Sequence, residues 1–258
     1  MRVLITGSTD GIGKQTALAL ASSGFEVIVH GRDTKKVEET KKLIGCKGIV
    51  ADLSCLKEID NIVSIENESI DILINNAGVY NKNYKLSCDD FELTFAVNYL
   101  AHFYLTLSLL QQKIYPKIII NISSMVHADY IDMDDITRPH SYDPNEAYAV
   151  SKLCNILFSY YLTKRVKHLG ILVNAMHPGV INTKMLIDNW GAIGENVEKG
   201  ALNVLKTLET IQKNSYTGMY FVNANPTKSK AISYNSIIQE KLWQLSMKLC
   251  NLSDLKLD

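Results

Sequence analysis

Val3-Leu4-Ile5-Thr6-Gly7-Ser8-Thr9-Asp10-Gly11-Ile12-Gly13 is a β-prone apolar run that breaks into three glycines. Helix-forming residues follow from Lys14 to Ser23, Gly24 stops them, and Phe25-Glu-Val-Ile-Val-His30 is apolar again. Strand, glycine turn, helix and strand make a βαβ unit, whose strands are parallel and whose crossover is right-handed. The N–H groups of such a turn, at a helix N-terminus, can receive a pyrophosphate. The spacing G-x-x-x-G-x-G is not the broad dinucleotide fingerprint G-x-G-x-x-G, so a turn needed only for packing is the competing reading.

The alternation continues outward. Thr34 to Ile44 predicts a helix, Gly48 to Ala51 a strand, Ser54 to Ile65 a helix, and Ile70 to Ile74 a strand ending at Asn75-Asn-Ala-Gly78. Asp89 to Ile114 reads as a long helix, Lys117 to Ile122 as a strand entering Ser123-Ser124, and Asn145 to His168 as a second long helix. Ile171 to Ala175 is a strand before His177-Pro-Gly179, Glu198 to Gln212 a helix, Thr217 to Val222 a last strand, and Ser236 to Leu252 an amphipathic helix. Together these predict one α/β domain over residues 1–258, a Rossmann-type doubly wound parallel sheet of about seven strands with helices on both faces. Two segments break the rhythm. Val126 to Glu146, with Pro139 and Pro144, reads as a loop insertion, and Val180 to Glu198 as a lid or substrate loop.

Composition narrows the class. The 27 basic and 27 acidic residues cancel, which argues against nucleic acid as a partner. Five scattered cysteines without a C-x-x-C pair argue against a disulfide framework or a metal site and fit a reducing, cytoplasmic setting. No run of about eighteen apolar residues occurs, so no integral membrane segment is expected.

Tyr148-Ala-Val-Ser-Lys152 places a phenol and an ammonium on one helix face, where the charge favours the phenolate. The spacing alone is weak, because Tyr160 and Lys164 repeat it. Their distance from the strand ends predicts a surface or subunit contact for that second pair.

In Thr6 to Gly13, Asp52-Leu53, Asn75-Asn-Ala-Gly78, Asn98, Ser124, Tyr148-x-x-x-Lys152 and Pro178-Gly-x-x-x-Thr183 the whole chain resembles the short-chain dehydrogenase/reductase family. Ile-Ser-Ser-Met-Val-His127, Ser151-Lys-Leu-Cys-Asn155, His177-Pro-Gly179 and the closing Gly-Met-Tyr-Phe-Val look most like its retinol-dehydrogenase-like branch. The resemblance implies an enzyme that moves hydride between a nicotinamide cofactor and an alcohol or carbonyl. It implies Tyr148 as proton donor or acceptor, Lys152 as the charge that lowers its pKa and holds the ribose, and Ser124 as hydrogen-bond donor to the substrate oxygen. Asn98 would hold a water that relays protons to Lys152.

For the cofactor the resemblance implies contacts from Gly7, Ser8, Thr9, Gly11, Ile12, Gly13, Asp52, Leu53, Asn76, Ala77, Gly78, Tyr148, Lys152, Pro178, Gly179 and Thr183. At the end of the second strand Gly31 stands where an NAD-preferring enzyme carries an acid, and Arg32 follows, which suits the 2′-phosphate of NADP(H). Asp10 opposes that reading, and Asp33 would restore an NAD(H) site if the register slipped by two. Met185 and Trp190, with Ser124 and Tyr148, are expected to line a site for a small apolar carbonyl or alcohol. His127 and His177 read as loop-structuring or substrate-lining residues. A non-catalytic NADP(H)-binding sensor or scaffold is the rival reading. The long apolar faces of 89–114 and 145–168 suggest a homodimer or homotetramer.

Overall fold

The computed structural model describes residues 1–64, 69–137 and 140–253. The first half runs β1 (Arg2–Ile5), α1 (Gly11–Ser22), β2 (Glu26–Gly31), α2 (Thr34–Ile44), β3 (Lys47–Val50), α3 (Leu56–Val63) and β4 (Ile72–Asn75). There follow α4 (Leu93–Phe95), a π-helical turn (Ala96–Leu100), α5 (Ala101–Gln111), β5 (Ile118–Ile122), α6 (Pro144–Arg165) and β6 (Leu172–His177). The chain then forms α7 (Lys184–Trp190), α8 (Val197–Asn214), β7 (Tyr220–Val222), β8 (Asn225–Thr227) and α9 (Ser236–Leu249).

All strands belong to one sheet in the order β3-β2-β1-β4-β5-β6-β7-β8, parallel except for the antiparallel β7–β8 pair. The strands are apolar on both faces because helices cover both. Val3, Ile5, Ile72, Ile74 and Ile120 pack toward α1 and α8, while Leu4, Leu73 and Ile119 join Leu105, Leu153 and Leu157 on the other side. The doubly wound α/β architecture is therefore as expected, with one strand more than the approximate count. That strand, Asn225-Pro-Thr227, is fully exposed and has no apolar signal to reveal it.

The strand order reverses between β1 and β4, the place where doubly wound sheets bind ligands. There the turns after the two strands touch. A Cβ on Gly7, whose φ is +62°, would lie 2.8 Å from Ala77 Cα.

Several expectations need correction. The helix read from Asp89 begins at Leu93, because Ser87 to Glu92 form a turn and the Glu92 carboxylate caps the N–H groups of Thr94 and Phe95. The segment 180–198 is not structureless: it holds α7, and its base is closed by reciprocal bonds between the Asn182 amide and the backbone of Gly194. Ile65 and Pro139 lie outside the described residues.

The second tyrosine–lysine pair divides: Lys164 is exposed, as expected, whereas Tyr160 is buried. The chain after β8 folds back over α6, so Tyr160 OH meets Ser229 Oγ at 2.8 Å and Lys164 Nζ donates to Gln239 Oε1 at 2.9 Å. The same return covers the faces that suggested pairing with a second chain. Trp243 of α9 packs against Phe103, Phe158 and Tyr161, and α3 covers much of the rest of α5. The helical stretch Leu93–Gln111 does have the length and mean hydropathy (1.4) of a membrane span, but 89% of that window is buried inside the fold. Counting uninterrupted apolar residues had missed it. Finally, Cys55 and Cys88, 33 residues apart and with Cα atoms 5.3 Å from one another, are paired in a disulfide, where the scattered cysteines had argued against a disulfide framework. Packing of the loop before α4 onto the start of α3 brings them together.

Candidate active site

The glycine turn is held from below by histidine and threonine side chains. Gly7 N–H donates to His30 Nδ1 at 3.1 Å, so the opposite nitrogen carries the proton and donates to Ala51 O at 3.1 Å. Burial holds His30 neutral by lowering its pKa to about 4. Thr6 Oγ1 accepts the N–H groups of Asn76 and Ala77 and donates to His102 Nε2, whose other nitrogen donates to Asn98 O at 3.0 Å. Asn76 Nδ2 adds bonds to Thr6 O and Gly7 O. The turns after β1 and β4 are thus one rigid unit.

The first turn of α1 faces this crevice. Asp10 caps Gly11 N–H, and helix geometry leaves the N–H groups of Ile12 and Gly13 without intrahelical acceptors. A Cβ on Gly13 would sit 2.4 Å from Gly7 O, so only glycine allows the turn to approach the helix this closely. Cradle and helix N-terminus fit the pyrophosphate of a dinucleotide. Several expected contacts can act only through backbone. Ser8 Oγ is turned inward, donating to Ile5 O and accepting from His30 N. Ile12 packs on Gly200 of α8, and Leu53 lies in the core.

At the end of β2, Gly31 pairs in register with Val50. A Cβ on Gly31 would be 2.7 Å from Thr9 Cγ2, so an acidic side chain has no room there. Asp33 is committed to capping α2 at Lys36 N. Lys36 Nζ in turn pairs with Asp10 at 3.3 Å, which offsets the acid that opposed a phosphate. Arg32 is exposed, and among the described residues no hydrogen bond or ion pair engages its guanidinium. Asp52 Oδ1 accepts Ser54 N–H beside the buried His30. Thr183 caps α7 through Leu186 N–H and abuts Gly11, so it closes the cradle from the lid side. Pro178 O is held by Asn203 Nδ2, and Gly179 adopts φ +110°.

The predicted catalytic residues do converge. Ser124 follows β5, and Tyr148 and Lys152 lie on the first turns of α6. Lys152 is buried, its Nζ donates to Ile122 O at 3.1 Å, and it lies 5.4 Å from the centroid of the Tyr148 ring. Burial pushes Tyr148 up to about 12, and the neighbouring Ser124 hydroxyl, which favours the phenolate, offsets this only in part. Burial brings Lys152 down to about 8. The expected lowering of the phenol by the lysine charge is therefore not what sets its pKa in this structure: desolvation dominates. Ser123 is occupied elsewhere, donating to Lys152 O.

Asn98 sits in the π-helical turn. Its Oδ1 accepts Val79 N–H at 2.7 Å, and its Nδ2 donates to Val79 O and Ser151 Oγ. Its carbonyl already accepts from His102 and Asn155. A Cβ built on Gly78 would lie 3.5 Å from both Asn98 Oδ1 and Lys152 Nζ, so Asn98 borders the lysine and shapes the wall in front of it.

Trp190 of the lid packs on Tyr80 with ring centroids 4.4 Å apart, and Tyr80 on Tyr148 at 5.9 Å. Met185 lies on the same short helix, partly exposed. Neither lid residue lines the cavity beside the site. That cavity, about 410 Å³, is bordered by Met125, His177, Gly179, Val180, Ile193 and Val222. Sequence reading missed His30, His102 and Thr6 as parts of the site. Their only local signal was the polarity of two histidines inside apolar runs.

With this geometry in place, the chain matches the family model described as short chain dehydrogenase over residues 1–192. It is 40% identical to human Retinol dehydrogenase 13 over 198 residues, spanning 71% of this chain and 60% of that protein. It is 32% identical to human Retinol dehydrogenase 12, spanning 96% of this chain and 85% of that one. Among solved structures, an uncharacterised protein from Mycobacterium paratuberculosis superposes with a TM-score of 0.83 at 27% identity, covering 98% of this chain and 94% of the other.

Proposed function

This chain belongs to the short-chain dehydrogenase family, on its retinol-dehydrogenase-like branch, and on that premise we propose that it interconverts a carbonyl compound and its alcohol with NADP(H). The observation that carries the proposal is the meeting of Ser124, Tyr148 and Lys152 beside the glycine cradle. The nicotinamide dinucleotide would supply or take up the hydride. In reduction Tyr148 gives its proton to the substrate oxygen, and in oxidation it takes it back. Ser124 donates a hydrogen bond to the same oxygen and stabilises the charge that develops there. Lys152 holds a positive charge beside the phenol ring and would contact the nicotinamide ribose. Asn98 fixes the Gly78–Val79 wall, and a water between it and Lys152 would relay protons.

The free guanidinium of Arg32, the commitment of Asp33 to a helix cap and the Lys36–Asp10 pair favour the 2′-phosphate. NAD(H) is the alternative. The substrate body is apolar, matching Met125, Val180 and Ile193 in the cavity wall, and retinoid or other lipid aldehydes are the first candidates. The internal covering of α5 and α6 favours a single chain as the working unit over a homodimer or homotetramer, which light scattering decides. A cytoplasmic location, read from the sequence, belongs to the proposal and is tested by fractionating expressing cells.

The decisive experiment titrates the purified protein with NADPH and NADH, reading cofactor fluorescence, then adds medium-chain and retinoid aldehydes. NADPH-selective binding followed by aldehyde-dependent oxidation is expected. Binding without turnover of any carbonyl would favour the sensor reading, and tighter NADH binding would overturn the cofactor assignment.

A further inference from the structure

We propose that His177 determines specificity, hydrogen-bonding an uncharged oxygen of the substrate away from the reacting carbon, so that the preferred substrate carries a hydroxyl or carbonyl on its otherwise apolar body. The inference rests on the carbonyl–alcohol reading of the site and narrows its substrate class.

Four histidines are buried: His30, His102, His127 and His177. Three have both ring nitrogens occupied. His30 and His102 brace the cradle as described above, and His127 bonds Ser124 O at 2.7 Å while accepting Lys230 N–H at 3.0 Å. His177 differs. Only 6% of it is exposed, Nδ1 is buried without a partner, and among the described residues no group hydrogen-bonds either nitrogen. Nδ1 is sealed off, so the nitrogen that a ligand in the cavity can reach is Nε2, which no protein group engages among the described residues.

The location fits such a role. His177 ends β6, in register with Val222 of β7, and both border the 410 Å³ cavity. Met125, one residue beyond Ser124, borders it as well, so a substrate reaching Ser124 can extend over the imidazole. Met125, Val180, Ile193 and Val222 give the wall its apolar part, Glu195 and Asn223 form an exposed polar rim, and His177 is the buried polar group. A polar group placed among apolar side chains fixes the orientation of a ligand. Burial, with the charge of Lys152 adding to it, lowers the His177 pKa to about 4. The ring is therefore neutral near pH 7, one nitrogen donating and the other accepting, which suits a hydroxyl or carbonyl. Glu195 on the exposed rim disfavours an anionic group in the same place.

The test compares aldehydes of equal chain length with and without a second hydroxyl, the hydroxyl being walked along the chain. Wild type should prefer at least one hydroxylated member, and His177→Leu should lower that preference roughly ten- to a hundred-fold, mostly in KM, with His177→Gln recovering part of it. The corresponding diols and simple alcohols, titrated into the protein–NADPH complex with cofactor fluorescence as readout, give the same comparison without turnover. No hydroxylated preference in wild type, or an unchanged preference in His177→Leu, in the turnover or the binding arm overturns the proposal. If the cofactor binds and no aldehyde is reduced, the oxidoreductase reading fails and the diol arm still decides the role of His177.

Discussion

Lys152 directs its ammonium to the carbonyl of Ile122 at 3.1 Å while lying 5.4 Å from the centre of the Tyr148 ring. The lysine is thus anchored to the sheet and presents its charge to the face of the phenol. Burial lets it give up its proton at about 8, against 10.5 for an unperturbed side chain. Carbonyl reduction should therefore weaken as pH rises through about 8, while alcohol oxidation strengthens. A kcat/KM profile for both directions checks this, and Lys152→Met should erase the inflection. The stability effect has a definite sign. Between pH 8 and 10.5 the unfolded chain holds the extra proton, so this group's contribution grows with pH over that window. A flat activity profile across pH 8 in the wild type would refute the assignment.

The two tyrosine–lysine pairs make matched controls. Tyr148→Phe should cut turnover roughly a hundred- to ten-thousand-fold while NADPH still binds. Tyr160→Phe removes the 2.8 Å bond to Ser229 and a longer one of 3.5 Å to Tyr234. It should cost about 1 kcal/mol in unfolding free energy and keep turnover. Steady-state rates and chemical denaturation of both variants measure the contrast. Equal losses of activity would show that position on the helix does not separate them.

Arg32→Ala should raise the KM for NADPH about ten- to a hundred-fold and leave that for NADH nearly unchanged. Since Lys36 is held by Asp10 at 3.3 Å, Asp10→Asn should act in the opposite sense and tighten NADPH binding. Cofactor titrations at two salt concentrations check both. Equal effects of Arg32→Ala on the two cofactors would sink the NADP(H) reading.

Gly13→Ala tests the cradle. The added methyl would fall 2.4 Å from Gly7 O and 2.5 Å from Asn76 Nδ2, contacts that no side-chain rotation relieves on the backbone side. About 1–3 kcal/mol of stability should be lost, together with cofactor affinity. Thermal denaturation with and without NADPH reads both quantities, and a variant stabilised by NADPH as strongly as the wild type would count against the close approach.

The sheet was legible because its strands are apolar runs, five of which break at Gly7, Gly31, Asn75-Asn-Ala-Gly78, Ser123-Ser124 or Pro178-Gly179. The catalytic tyrosine was separable from its neighbour by its place relative to strand ends. Other features depend on partners distant in sequence and left no local pattern. Thr6 meets His102 across 96 residues, His127 receives Lys230 across 103, and Cys55 finds Cys88 across 33. The π-helical turn at Ala96–Leu100 adds one residue to a helix whose composition looks uniform. The raised phenol pKa also escaped the sequence, since spacing conveys charge but not how much water the fold removes.

The chain has two tryptophans, and they stand in opposite situations. Trp243 is sealed beneath α6, whereas Trp190 is 43% exposed on the lid and leans on the ring that leans on Tyr148. The molecule thus carries a built-in optical reporter. With Trp243→Phe silencing the buried indole, emission from Trp190 would follow the lid's position in real time. Its quenching would show whether the lid settles before, with or after the dinucleotide.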